Sequence, residues 1–436
     1  MSGRRDRRTI VFMPESAYGP TNNCIGIGAI LLESGHHVVF AAESSWKGRL
    51  EPMGFQEALV DLAPAPEGHG DQDAGAFWKE FIRQTSPEFR KPTVDQLATF
   101  IQPTYQALID GAMYCQPQLE QILADARPDA VVLDNVVSFP ALMTAGAPFV
   151  RIMSCNPLEM KGDGVPPTFS GLPADAPSTW REFQAAYDET HRPSWERYND
   201  WVQEQGAPPL DDLDFVHPSR DLNLYVYPEV MDYTGARPLD STWHRLDSSV
   251  RTTDQAFDVP EELRDRPHES ALVYLSLGSL GSADVDLMRR LVDLLGRTEH
   301  RYIVSTGPQH SEFELADNMW GKEFLPQTSI LSHVDLVITH GGNNTTTEAM
   351  HFGKPMIVLP LFWDQYDNAQ RVHETGYGVR LDTYRFTQGQ LEAAMASLLA
   401  DRTLHDRLRK DSAVIRGRDG VRRAADLIEA AATARP

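Results

Sequence analysis

The sequence predicts an α/β protein built from two parallel-sheet domains, and three observations lead there. The chain has 436 residues, more than one ordinary hydrophobic core accommodates. Short apolar runs alternate with helical patterns in both halves, the signature of strand–helix–strand units. A polar, proline-bearing stretch at 236–270 without a sustained period separates the two series.

In the first half, residues 9–14 read as a buried strand and 15–22 as a polar loop. A helix follows, carried by Ile25, Ile27, Ile30, Leu31 and Leu32 and ended by Gly35. Strands are expected at 37–42, 128–134 and 148–153, with 222–227 as the last strand of this half. Two long stretches, 62–118 and 156–220, look irregular and aromatic, holding Phe77, Trp78, Phe89, Phe100, Tyr105, Phe169 and Trp180. Long aromatic loops in an α/β domain are expected to build a pocket or lid. In the second half, strands are expected at 271–277, 302–305, 336–339, 356–360 and 378–381, with a helix at 287–295. The domain limits are therefore 1–235, a linker 236–270, and 271–415. The amphipathic end, 416–436, is expected to pack back toward the first domain.

The chain carries 62 acidic against 40 basic residues, a net charge of −22, which disfavours nucleic acid and anionic membranes as partners. Its three cysteines, Cys24, Cys115 and Cys155, are odd in number and match no metal-ligand spacing, which fits a reducing compartment. The basic start, 1–8, is followed by an apolar run of only 10–13, too short for a signal core. No apolar run approaches the ~18 residues of a membrane span. A cytoplasmic location is expected, and a monomer and a homodimer both fit the sequence.

The densest chemistry lies at Thr339-His340-Gly341-Gly342-Asn343-Asn344-Thr345-Thr346-Thr347-Glu348. An apolar strand feeds a Gly-Gly turn and a helix rich in hydroxyls, so Gly342, Asn343, Asn344 and Thr345 would present N–H groups and a positive dipole end to a phosphate. His340 adds a donor, and Glu348, two helical turns on, suits a pair of ribose hydroxyls. Asp364 and Gln365 follow the next strand, where ligands bind in open α/β sheets, and their carboxylate and amide suit vicinal sugar hydroxyls. Phe324 and Gln327 offer a face and an edge for a nucleobase.

The order of Gln327, Leu331, His340, Gly342, Asn344, Glu348, Gly353, Pro355, Pro360, Asp364, Gln365 and Asn368 resembles the donor signature of the family-1 (UDP-glycosyltransferase superfamily) glycosyltransferases. The short gap between Gln327 and His340 is similar to the bacterial macrolide and antibiotic branch, and 13–23 resembles rifamycin-modifying members. The resemblance implies twin Rossmann-like domains (the GT-B architecture) around a cleft, with the acceptor bound by 1–235 and the nucleotide sugar by 271–415. It implies Phe324 on the base, Gln327 on the nucleoside and Glu348 on the ribose. Ser279, His340, Asn344 and Thr345 would hold the diphosphate, and Asp364 and Gln365 the sugar.

Two departures stand out. Phe324 replaces the usual tryptophan, and Pro20 stands where the family's Gly-His-x-Asn-Pro stretch, here Gly19 to Asn23, carries its histidine. Proline accepts no proton. Asp134, which matches that histidine's acidic partner, is then the expected base, with Asn22 orienting it. The expectation is inverting transfer of a sugar, glucose first, from a UDP-sugar to a hydroxyl of a hydrophobic polyketide, macrolide or ansamycin, with no metal and no further cofactor.

Three alternatives compete. Gly26 and Gly28 with Glu43 weakly match a nicotinamide or flavin fingerprint without its third glycine. Asp212-Leu213-Asp214 and Asp284-Val285-Asp286 fit the letters of a metal-dependent Asp-x-Asp transferase. Pro20 also fits a non-catalytic nucleotide-sugar-binding partner protein.

Overall fold

A computed structural model describes residues 7–64, 84–251, 256–264 and 270–434. Seven parallel strands form the first sheet: β1 (Thr9–Pro14), β2 (His37–Glu43), β3 (Gln56–Val60), β4 (Ala130–Asp134), β5 (Phe149–Met153), β6 (Leu222–Tyr225) and β7 (Trp243–Arg245). Their order is β3-β2-β1-β4-β5-β6-β7. The second sheet holds β8 (Leu272–Ser276), β9 (Arg301–Ser305), β10 (Met319–Lys322), β11 (Leu336–Thr339), β12 (Met356–Val358) and β13 (Gly378–Arg380), in the order β10-β9-β8-β11-β12-β13. Each sheet reverses its winding once, between β1 and β4 and between β8 and β11. In doubly wound sheets the crevice at that reversal, beyond the strands' carboxyl ends, takes the ligand.

The helices that matter here are α1 (Tyr18–Glu33), α2 (Gln102–Ala126), α3 (Trp180–Glu204), α4 (Val285–Gly296), α5 (Asn343–His351), α6 (Gln365–Glu374), α7 (Gln388–Ala400), α8 (Arg402–Arg418) and α9 (Gly420–Thr433). Helix α9 lays Val421, Ala424, Ala425 and Ile428 into a core shared with Ile25, Ile27 and Leu31 of α1, so the chain's end does pack on its first domain.

The structure differs from the sequence reading in instructive places. The aromatic stretches are not irregular. They contain α2 and α3, each 25 residues long. The buried stripe of α3 is Trp180, Phe183, Tyr187, His191, Ser194, Tyr198 and Val202, a helical spacing made of aromatic and polar residues and interrupted by Pro193, which hides it from an aliphatic search. Phe77 and Trp78 lie outside the described residues. Strands β3, β7 and β10 were not expected, and each is a sheet edge, short and only partly buried. Strand β7 lies inside the stretch read as a linker, so β6 is not the last strand of its half. The loop expected at 15–22 ends early, because α1 begins at Tyr18. Pro20 sits in its first turn, where a missing N–H costs nothing.

Candidate active site

The reversal of the second sheet brings the ends of β8 and β11 together. His340, just past β11, is wedged between two glycines. A Cβ on Gly278 would lie 2.9 Å from its imidazole, and one on Gly342 only 2.5 Å away. Gly278 and Gly341 also hold positive φ, +70° and +87°, which suits glycine. Burial pushes the His340 pKa down to about 4, opposed by a hydrogen bond to the Ser276 backbone, so the ring is a neutral imidazole whose single N–H has the Ser276 carbonyl as a partner. Gly342 is the N-cap of α5, and no side chain caps it, which leaves the first-turn N–H groups open to an anion. The Ser279 side chain lies outside the described residues.

The remaining donor-side residues follow. Gln327 donates to Glu348 Oε2 at 2.6 Å and to Thr345 Oγ1 at 3.2 Å, so its amide organises the carboxylate rather than standing free for a base. Burial raises the Glu348 pKa, opposed by Gln327 and by the Arg251 guanidinium. Phe324 is 59% exposed, and Tyr18 of the first domain faces it with ring centroids 6.0 Å apart. Asp364 is buried, accepts from the Asn156 backbone N–H at 2.9 Å, and has its pKa raised to about 7, chiefly by desolvation. Gln365 Oε1 accepts from the N–H groups of Leu361 and Phe362, at 3.1 and 3.3 Å, which shapes the loop that presents Asp364.

The side chains of Asn343 and Asn344 face the first domain. Asn343 donates to the Val226 carbonyl at 2.9 Å, so its part toward a diphosphate is limited to its backbone N–H. Asn344 donates to the Gly19 carbonyl and accepts from Asn23, both at 3.1 Å.

The reversal of the first sheet places Glu15 after β1 and Asp134 at the end of β4. Asp134 is 2% exposed, and Ser154 Oγ donates to its Oδ2 at 2.5 Å. Desolvation pushes its pKa up to about 8. Ser154 pulls it down, Glu159 and Glu15 push it up, and Arg151 opposes them. Glu15 is itself raised to about 7 by burial. The first domain also holds a cavity of about 280 Å³, lined by Tyr105, Val136, Arg151, Glu159, Tyr187, Phe215 and Trp243 among others, and Asp134 is not part of that lining.

The chain's second half, residues 253–418, matches the family model described as UDP-glucoronosyl and UDP-glucosyl transferase. The whole chain is similar to the oleandomycin glycosyltransferase of Streptomyces antibioticus, 28% identical over 429 residues that cover 96% of this chain and 90% of that one. Residues 253–418 thus carry the family-1 match, and the likeness to glycosyltransferases extends along the chain. Its fold matches the solved glycosyltransferase of kitacinnamycin with a TM-score of 0.69 at 21% identity, covering 98% of this chain and 99% of that one. It also matches the glycosyltransferase VinC in complex with dTDP, with a TM-score of 0.64 at 16% identity, covering 97% and 99%. The chain has the GT-B architecture, two parallel-sheet domains around a cleft.

Within this glycosyltransferase the Asp-x-Asp letters have local partners. Asp212 pairs with Arg192, and Asp214 with Lys161 at 2.6 Å. Asp284 caps α4 through the Leu287 N–H at 3.1 Å and pairs with Arg90 at 3.3 Å. Gly26 and Gly28 lie inside α1, packed against Arg251 and Phe55, not in a dinucleotide loop. Among the described residues no helix is long and apolar enough to cross a membrane. Sequence reasoning missed Glu15, Asn23, Ser154 and Asn156. All but Asn23 lie within three residues of the end of β1 or β5, so reading each strand's carboxyl end as site-forming would have found them. Asn22 is half-buried and makes no hydrogen bond through its side chain among the described residues, and the amide that faces Ser154 is Asn23's.

Proposed function

We propose that this enzyme transfers a hexose, glucose first, from a UDP-sugar to a hydroxyl of a hydrophobic small molecule of the polyketide, macrolide or ansamycin class, with inversion and without a metal. The observation that carries the reading is Asp134, a buried carboxyl at the carboxyl end of β4, where the first sheet reverses, hydrogen-bonded through Ser154 and Asn23 toward the donor-side helix. The acceptor hydroxyl, seated at the carboxyl end of the first sheet, gives its proton to Asp134 as its oxygen attacks the anomeric carbon from the face opposite the diphosphate. The leaving diphosphate is met by the N–H groups of α5 and the neutral His340, with Ser279 and Thr345 adding hydroxyls. Phe324 stacks on the base, Glu348 holds the ribose, and Asp364 with Gln365 grips the sugar. The antibiotic named in the oleandomycin enzyme's description supports the acceptor class. The dTDP named with one structural neighbour makes thymidine donors the control for nucleotide choice.

The test is a screen of hydrophobic acceptors with UDP-glucose and dTDP-glucose in EDTA, read by the mass gain of one hexose. Product with UDP-glucose in EDTA is expected. Activity restored only by magnesium or manganese would overturn the metal-free reading. Tight UDP binding with neither product nor UDP release across the screen would favour the non-catalytic partner protein.

A further inference from the structure

Helix α1 offers no imidazole to Asp134, because Pro20 occupies the position where one was expected. What it offers instead is Asn23, one turn further on. Asn23 Nδ2 donates to Ser154 Oγ at 2.9 Å and to Asn344 Oδ1 at 3.1 Å, and Ser154 Oγ donates to Asp134 Oδ2 at 2.5 Å. Asn344 Nδ2 closes the series on the Gly19 carbonyl at 3.1 Å. Asn23, Ser154 and Asp134 are 1, 8 and 2% exposed, so little water competes for these bonds.

The chemistry of the groups fixes the direction of the chain. A serine hydroxyl has one proton. With the Asn23 amide donating to its oxygen, that proton has Asp134 Oδ2 as its acceptor. An O–H donated to a carboxyl favours the ionised form, the form a base needs. The other groups acting on Asp134 are Glu15, which follows β1, Glu159, Arg151 of β5, and the neighbouring thiols Cys24 and Cys155. Both acids favour protonation, and Arg151 is already paired with Glu159. The Ser154 hydroxyl is thus the neutral group committed to holding the carboxylate.

We propose that Asn23 and Ser154 are the positioning residues of the catalytic carboxyl, and that Asn344 ties them to the donor-side helix so that the oriented base exists when the two domains are closed. This rests on the reading of Asp134 as the base. Its test separates the two.

The full-length protein is labelled with 13C at the aspartate side-chain carboxyls, and the Asp134 signal is assigned by its loss in Asp134→Asn. Its titration midpoint is expected to rise by about one unit in Ser154→Ala, about ten-fold less carboxylate below the midpoint. A smaller rise is expected in Asn23→Ala, and Ser154→Thr should restore the wild-type midpoint. UDP binding, measured alongside, reports that each variant is folded. Turnover with UDP-glucose and the acceptor found by the screen should follow the same shift. The roughly ten-fold loss near neutral pH in Ser154→Ala should close at alkaline pH. An unmoved carboxyl titration in Ser154→Ala, or turnover lowered equally at every pH, would overturn the positioning role. Near-normal turnover in Asp134→Asn would overturn the base assignment instead, and the carbon titration would still decide whether the chain sets the carboxyl's ionisation.

Discussion

A carboxyl that keeps its proton to about pH 8 sets how this enzyme should respond to pH. In its proposed role as base Asp134 must be ionised, so turnover should climb through neutrality and level off above about 8. Asp134→Asn should lower turnover by ~10²–10⁴-fold while UDP binding stays. The same group acts on stability. The folded chain holds its proton more tightly than the unfolded one, so its contribution is full below the ordinary carboxylate range and is lost as pH rises toward about 8. Glu15, raised to about 7, acts in the same sense. Thermal melts of Asp134→Asn should therefore lose less stability between the ordinary carboxylate range and about pH 8 than those of the wild type. Parallel curves would show that the group is not buried in its charged form. Around His340, the two glycines are the sensitive positions. Gly342→Ala places a methyl 2.5 Å from the imidazole, and Gly278→Ala adds a positive φ to a 2.9 Å approach. Each should weaken UDP binding by calorimetry about ten-fold, near 1.4 kcal/mol. Unchanged affinity would mean that the imidazole does not meet the diphosphate.

At the scale of elements, the two ends of the chain support each other. Helix α1 faces the donor-side helix through Gly19 and Asn23, and its apolar side is covered by α9, where Ile428 is fully buried. Ile428→Ala should cost roughly 2–5 kcal/mol. Because α1 holds Asn23, turnover should fall in step with stability as temperature rises. Full activity up to an unchanged melting temperature would show that α9 is dispensable to α1. Helix α5 has the opposite character. Its start is uncapped and free of acids, and its side chains reach across to Val226 and Gly19, so one element serves as anion cradle and as domain contact.

Across the whole molecule, closure is held by the loop before α6. Phe362 packs on Phe89 and Phe100, with centroids 4.7 and 5.2 Å away, and Trp363 on Tyr105 and Phe169 at 5.1 and 4.7 Å. Asp367 accepts the N–H groups of Phe169 and Gly171 at 2.6 and 2.8 Å, and Arg380 donates to the Gly171 carbonyl at 2.7 Å. Trp363 holds φ at +58°, a conformation that packing on the opposite domain must stabilise. Trp363→Ala should split the unfolding endotherm into two transitions and enlarge the radius of gyration in X-ray scattering. A single transition at an unchanged radius would place the coupling in the polar contacts alone.

Local sequence determined the elements whose signal is local. Interior strands are continuous apolar runs because both their faces are buried, and 9–14, 130–134 and 336–339 were legible for that reason. The glycine turn before α5 was legible because its backbone demands glycine whatever surrounds it. The edge strands β3, β7 and β10 were not, since an edge is half-solvated and its pairing comes from a neighbour far along the chain. The stripe of α3 was hidden because its aromatic and polar groups become core only when distant residues supply their partners, as Tyr105 and Gln102 do for His191 and Ser194 and the Ser138 carbonyl does for Tyr198. The same holds at the site. Asn23, Ser154 and Asp134 stand 131 and 20 positions apart, and only strand order and domain closure join them into one hydrogen-bonded chain reaching Asn344. The residues expected to bind the donor could be read from spacing, because one strand–turn–helix unit holds most of them. The surroundings of Asp134 were decided by tertiary structure, because Ser154 after β5 and Asn23 of α1 reach that carboxyl from elements far along the chain.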